Sequence, residues 1–270
     1  LIRKMVGRSI GDMFGGRTAP GESGRTVLSV EGLSRRGEFE DVSFSIGEGE
    51  ILGFAGLVGA GRSEAAQAIF GVSRPDGGSI AIDGETVRIR HVRDAVGRGV
   101  GYLTEDRKLH GLCLGLTIRE NLAGPSLSRF ASPFGIMDDA LIADFAGRIV
   151  DRFNIVTPSV DQLVYHLSGG NQQKVLLGMW MGIEPRVLIV DEPTKGVDVG
   201  AKEEIYTHIF EHAARGAAVM LISSDLNEIL GMSDRICVMR GGRIVAVVDS
   251  ADATEELIIS HALGAGKAVQ

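Results

Sequence analysis

A chain of 270 residues with 44% hydrophobic content carries enough apolar side chains for one large domain, or for a domain with an inserted lobe. Its formal charge of −7 argues against broad electrostatic binding to nucleic acid, so no nucleic-acid partner is expected. No apolar run approaches the roughly 18–20 residues that span a bilayer, and no charged-then-apolar leader is read at the start, so a membrane role is expected to come through a partner. The two cysteines, Cys113 and Cys237, share no metal-ligand spacing and read as incidental thiols of a reducing compartment, the cytoplasm by default.

Taken in chain order, residues 1–25 have linker composition, with Gly15-Gly16, Pro20-Gly21 and Gly24. Leu1-Ile2-Arg3-Lys4-Met5-Val6-Gly7-Arg8 faintly echoes Leu257-Ile258-Ile259-Ser260-His261-Ala262-Leu263-Gly264, which suggests the tail of a preceding copy in a tandem duplication. Alternation over 27–30 and 42–46 predicts two antiparallel strands ahead of the turn Gly47-Glu48-Gly49. Glu50 to Ala55 reads as a buried strand that feeds a glycine-rich turn, and Ser63 to Phe70 as the helix after it. The patch Arg88 to Arg93 reads as a solvated basic face. A helical lobe is expected over about 105–178, with a helix from Met137 to Phe153, on which Leu141, Ile142, Phe145, Ile149, Val150 and Phe153 recur at helical spacing. Strand and helix then alternate: 187–190, 203–214, 217–222, 226–230, 236–239 and 244–248. Such alternation implies a mainly parallel sheet covered on both faces, followed by a tail over 251–270.

The chemistry concentrates in three places. Gly56-Leu57-Val58-Gly59-Ala60-Gly61-Arg62-Ser63 has the spacing G-x-x-x-x-G-K-[ST] of a phosphate loop, with Arg62 where lysine belongs. Glycines at 56, 59 and 61 let backbone N–H groups crowd a phosphate chain, with Ala60 between them, the helix N-terminus adds positive dipole, and Ser63 offers an oxygen to Mg²⁺. A guanidinium prefers forked contacts to the point-charge contact of an ammonium, so Arg62 is not taken as its equivalent. Arg186-Val187-Leu188-Ile189-Val190 is a strand that delivers Asp191 as a metal-side carboxylate and Glu192 as the group that polarises an attacking water. One helix earlier stands Leu167-Ser168-Gly169-Gly170-Asn171-Gln172-Gln173-Lys174, in which Ser168 and the N–H groups of Gly169 and Gly170 offer a second phosphate surface at the start of a helix over 171–181. By itself that string is a serine N-cap with a flexible turn, and a lone glycine-rich loop is as often structural as functional. The six histidines form no complete ligand set, and His208 with His212 reads as a solvated helix face.

In this order the motifs resemble the signature loop, Walker A and Walker B elements of ATP-binding cassette (ABC) ATPases, over about residues 26–250. The resemblance implies a P-loop NTPase-type α/β fold with a mainly parallel sheet, an antiparallel β subdomain and an inserted helical lobe. It further implies ATP and Mg²⁺ as ligands, Glu105 in the place of the Q-loop glutamine, Asp198 as the acidic residue of the D-loop, and Ser224 where a switch histidine normally meets the γ-phosphate. Phe39 is the nearest aromatic for the adenine.

The strings Glu105-Asp106-Arg107-Lys108 and Lys195-Gly196-Val197-Asp198-Val199-Gly200-Ala201-Lys202 look like the C-terminal cassette of fused two-cassette ATPases that energise bacterial sugar importers of the ribose, galactose and xylose type. The partners that resemblance implies are the preceding cassette of the same chain, membrane permease subunits and, indirectly, a solute-binding protein, with the chain peripheral at the inner face of the cell membrane. The region from Glu105 to Asn121 would then pass closure of the cassettes to the membrane subunits. The alternative is a regulatory or non-transport ABC ATPase with a degenerate, weakly hydrolytic site.

Overall fold

The computed structural model describes residues 24–264. The proposed preceding-copy tail over residues 1–8, and all but the last two residues of the linker read over 1–25, lie outside them. Two sheets form the scaffold. The first is antiparallel, in the order β2-β1-β4-β5, from β1 (Thr26–Arg35), β2 (Phe39–Gly47), β4 (Gly77–Ile82) and β5 (Glu85–Val87). The second, in the order β10-β9-β3-β8-β7-β6, comprises β3 (Ile51–Gly56), β6 (Val100–Leu103), β7 (Val187–Asp191), β8 (Ala218–Ile222), β9 (Arg235–Arg240) and β10 (Arg243–Asp249). All its neighbouring pairs are parallel except β9 with β10. This is the expected α/β architecture with its antiparallel subdomain.

The central strands β3, β7 and β8 are near-continuous apolar runs because both faces of the sheet are covered. Helix α1 (Arg62–Phe70) follows β3, and short α2 (Val92–Gly97) precedes β6. The lobe begins with a single wide turn over Arg107–Gly111, which Asp106 caps by accepting from the Lys108 and Leu109 N–H groups. It continues through α3 (Ile118–Ala123), α4 (Asp139–Arg152) and α5 (Gly169–Met181). Thr117 and Glu120 make a reciprocal capping box at α3, and Asp138 caps α4. Gly178 lets α4 and α5 meet, since a Cβ there would lie 2.6 Å from Ile149 Cγ2. Phe70 joins lobe to sheet, with its ring centroid 5.3 Å from that of Trp180 and 5.2 Å from that of Tyr102. Helices α6 (Val199–Ala214) and α7 (Leu226–Met232) flank β8 in sequence.

Three expectations change. The segment read as a C-terminal tail carries α8 (Glu255–Leu263), which buries Ile258 and Ala262. His208 and His212 are not on a solvated face: His208 stacks on Phe153 with centroids 4.4 Å apart, and His212 Nε2 lies 2.9 Å from the Pro185 carbonyl oxygen. Helix α6 is therefore covered along the stripe that carries both, and burial holds both imidazoles below the ordinary histidine range. The short elements β4, β5, β6 and α2 were not anticipated. Among the described residues no helix is long and apolar enough to cross a membrane.

Candidate functional site

The site lies where β3, β7 and β8 end, at the carboxyl edge of the parallel strands, the usual ligand crevice of such sheets. Beyond β3 the chain turns on Gly56, Gly59 and Gly61, whose φ angles of 154°, 77° and 95° an L side chain rarely adopts. Gly56 has a second requirement, because a Cβ there would come within 2.4 Å of the Met239 carbonyl oxygen. Ala60 is buried, and Leu57 and Val58 stand exposed on the rim. The loop ends at the first turn of α1, where no side chain caps the N–H groups. They are free to face an anion.

Ser63 and Asp191 come together as predicted: Ser63 Oγ donates to Asp191 Oδ1 at 3.1 Å. Tyr102 Oη donates to Asp191 Oδ2 at 2.9 Å, a partner the sequence reading did not identify. A hydroxyl beside a carboxylate is a hard, oxygen-only donor pair that fits Mg²⁺, an ion that takes one or two protein oxygens and completes its shell with phosphate and water. Among the described residues no group of three or more His, Cys, Asp or Glu could hold a metal by itself. The pair therefore suits an ion that arrives with a nucleotide.

Burial pushes the Asp191 carboxyl up to about 6, against the lowering pull of the Ser63 and Tyr102 hydroxyls. The folded chain then holds this proton more tightly than the unfolded chain, so stability falls as pH rises from about 4 to about 6 and remains lower above that. Asp191→Asn is expected to raise the thermal midpoint at pH 8 by a few degrees, from about 2 kcal/mol of relieved ionisation cost. The gain should vanish near pH 4, and Mg²⁺-dependent nucleotide binding should weaken. A midpoint unchanged at pH 8 contradicts this reading of the site.

Glu192 sits at φ 51°, the left-handed region that non-glycine residues avoid. Its N–H donates to the Ile222 carbonyl at 2.8 Å, which ties the end of β7 to the end of β8. Local strain of this kind persists where surrounding contacts over-determine it. Ser224 Oγ donates to Glu192 Oε2 at 3.0 Å, so the serine expected at the switch position meets the carboxylate expected to polarise water. Burial raises the Glu192 carboxyl, while the Ser224 bond and the nearby Arg62 charge oppose the rise.

Arg62 is turned inward. Its Nη1 donates to the Ser223 carbonyl at 2.8 Å and, at 3.5 Å, to that of Phe54, and the side chain is buried. Burial lowers its pKa, and Glu192 and Asp191 offset part of that effect. The expected phosphate-contacting residue is thus a tie between the phosphate-loop helix and the strand end before Ser224. Glu105 lies close enough for its charge to act on Asp191 and pairs with Lys195, with Nζ 2.6 Å from Oε1, at an exposed position where such a pair contributes little to stability.

Ser168 caps α5, accepting from the Asn171 backbone N–H at 3.4 Å, and is itself exposed. Of the other signature residues, Leu167 and Gln172 are buried, Gln172 donating to the Val164 carbonyl at 3.2 Å, and Asn171 Oδ1 accepts from Val156 N–H at 3.0 Å. Those three support the turn, which leaves Ser168, Gly169 and Gly170 to present it. A Cβ on Gly169 would meet Arg107 Nη2 at 2.9 Å, and one on Gly170 would meet Asp198 Oδ2 at 3.3 Å. Asp198 caps α6 through Ala201 N–H at 3.1 Å, so the D-loop carboxylate stands against the signature turn of its own chain. Arg107 Nη1 donates to the Lys195 carbonyl at 3.0 Å, and Gln173 Nε2 to the Pro193 carbonyl at 2.6 Å, two further ties between lobe and D-loop that spacing alone did not reveal.

Beside Gly59 opens a cleft of about 920 Å³, lined by Arg35, Arg36, Glu38, Phe39 and the turn Gly241-Gly242. Phe39 is 3% exposed, too deeply buried to offer an open ring face, so the aromatic considered for the adenine does not serve it.

Comparison with known proteins places this arrangement. The ABC transporter family model matches residues 39–195. The chain is 48% identical over 264 residues to the ribose import ATP-binding protein RbsA of Bacillus subtilis, covering 98% of this chain and 53% of that protein. It is 47% identical over 264 residues to RbsA of Lactococcus lactis subsp. cremoris, with the same shares of both chains covered. The chain spans about half the length of the curated relatives it matches. Among solved structures, a nucleotide-free ATP-binding cassette from an ABC transporter superposes with a TM-score of 0.72 at 23% identity, over 91% of this chain and 98% of that one, a likeness of fold. With a phosphate loop, a strand-end carboxylate pair and a signature turn set on that fold, the chain belongs to the ABC transporter family.

Proposed function

We propose that the chain is an ATP-hydrolysing cassette of a bacterial importer for sugars of the ribose and galactose class. The observation that carries the reading is Glu192, held beside the Asp191–Ser63 oxygen pair by the Ile222 carbonyl and the Ser224 hydroxyl. In that arrangement the phosphate-loop N–H groups and the start of α1 bind the phosphates. Ser63 and Asp191 hold Mg²⁺, which supplies charge neutralisation at the phosphates when bound. Glu192 orients and deprotonates the attacking water.

The exposed signature turn needs a partner site, and the relatives' greater length leaves room for a second cassette in the same chain. We place the chain as the C-terminal one of two cassettes, peripheral at the inner face of the membrane. Permease subunits contact it near residues 105–121, where Leu109 is 77% exposed, and a solute-binding protein delivers the sugar to them. The sugar assignment rests on the names of the relatives that match at 47–48% identity. Cells lacking the protein are expected to lose uptake of a ribose-class sugar and to keep uptake of unrelated solutes. Normal uptake of every ribose-class and galactose-class sugar would contradict the assignment.

One observation favours a second reading, a regulatory or non-transport cassette that binds ATP and hydrolyses it weakly. Arg62 is drawn onto the Ser223 carbonyl, so the charge that normally grips the β and γ phosphates is engaged elsewhere. Turnover separates the two readings.

A further inference from the structure

Among the titratable side chains that the mechanism leaves unused, Glu228 on α7 has the densest set of partners. Its carboxylate is 2% exposed and accepts from three hydroxyls: Tyr206 Oη at 2.6 Å and Thr194 Oγ1 on one oxygen, Ser223 Oγ at 2.7 Å on the other. Lys202 Nζ lies 3.6 Å from the same carboxylate and 3.9 Å from Asp225 Oδ2. A buried carboxylate persists only with such compensation, and here each donor comes from a segment that borders the site.

Thr194 follows Glu192 by two positions in the turn that leads to the D-loop. Tyr206 and Lys202 belong to α6, which the D-loop residue Asp198 caps. Ser223 is the end of the β8 segment: its carbonyl receives Arg62 and its neighbour Ser224 donates to Glu192. Ser223 Oγ also accepts from Asp225 N–H at 3.0 Å, which fixes its hydroxyl as the donor toward Glu228. One side chain therefore binds together the segment that leaves Glu192, the segment that grips Glu192, and the helix of the D-loop.

We infer that Glu228 is a positioning residue for Glu192, which fixes the D-loop turn and the switch segment as one body so that a displacement of either moves the water-polarising carboxylate. This rests on the reading of Glu192 as the hydrolytic group. The Glu228 carboxylate accepts from Thr194, Tyr206 and Ser223, and its positioning effect passes through Thr194 and Ser223.

Glu228→Gln keeps the shape and one acceptor but turns the other oxygen into a donor facing hydroxyls that already donate. Turnover is expected to fall about tenfold or more, with KM for ATP within about threefold, because misplacement of a reacting group costs rate rather than binding. Tyr206→Phe alone should lose less, and adding it to Glu228→Gln should lose nothing further, since both act through one carboxylate. Losses that simply multiply, or an unchanged kcat, would overturn the inference.

Amide hydrogen exchange decides the matter independently of hydrolysis. In the wild-type chain, Mg-ATP is expected to slow exchange over 193–198 and 223–225 together, and in Glu228→Gln the two segments should respond separately. A joint response in the variant would overturn the inference. A wild type that binds Mg-ATP without turnover would instead count against the hydrolytic reading and leave the exchange result to judge Glu228.

Discussion

Glu192→Gln is expected to reduce Mg-ATP turnover by about a hundredfold or more while ATP affinity stays within a few-fold. A general base contributes roughly 10²–10⁴ in rate, and the amide retains the size of the side chain but not its basicity. The substitution should be gentle on the fold, because the left-handed backbone at φ 51° is held by the Ile222 carbonyl, which the change leaves alone. The Ser224 hydroxyl can still donate to the amide oxygen. The pH profile adds a second readout. Burial holds the Glu192 carboxyl above the ordinary range, so wild-type turnover should rise as pH climbs through that titration, and the residual rate of the variant should lack this limb. Turnover above a tenth of wild type would remove Glu192 from the role of base.

Ser168→Glu is expected to abolish sugar uptake by the intact protein with its fold preserved. Ser168 is exposed at the head of α5, and its hydroxyl makes the cap to Asn171 N–H together with a 3.2 Å contact from the Asn171 side-chain amide. Loss of a cap costs about 1 kcal/mol, and a carboxylate at a helix N-terminus recovers part of that. The thermal midpoint should move by only a few degrees. The effect on function is expected to be large because the same turn is the surface proposed to meet the phosphates of a partner cassette, where a fixed negative charge would replace a hydroxyl. Undiminished uptake would refute the composite-site role of the signature turn.

The features legible in the sequence were those whose chemistry is local. Glycine spacing at 56, 59 and 61 announced a glycine-rich turn after a strand, which the structure gives positive φ, and an apolar run ending in Asp191-Glu192 announced a buried strand with carboxylates at its tip. A mainly parallel sheet followed from strand and helix alternation, without its edge strand β6. Short β4, β5 and β6 escaped because strands of 3 to 6 residues carry little periodicity. The inward turn of Arg62 was hidden because it depends on the Ser223 carbonyl, 161 positions away. Tyr102 and Glu228 were missed for the same reason, as their partners meet only in the folded sheet. His208 and His212 misled because a histidine pair without further metal ligands reads as a solvated face, whereas Phe153 and Pro185 cover it. Glu105 sits near its expected place but is paired with Lys195, a contact no spacing rule anticipates.

This cassette is proposed to bind and hydrolyse ATP through a site completed by a second signature turn. The most direct test is Mg-ATP binding and turnover by the chain across a range of protein concentrations, with Glu192→Gln as the control. Binding is expected at every concentration, with turnover per chain that rises with concentration as copies supply each other's signature turn and that falls about a hundredfold or more in the control. Turnover per chain independent of concentration, or equal in the control, would contradict it.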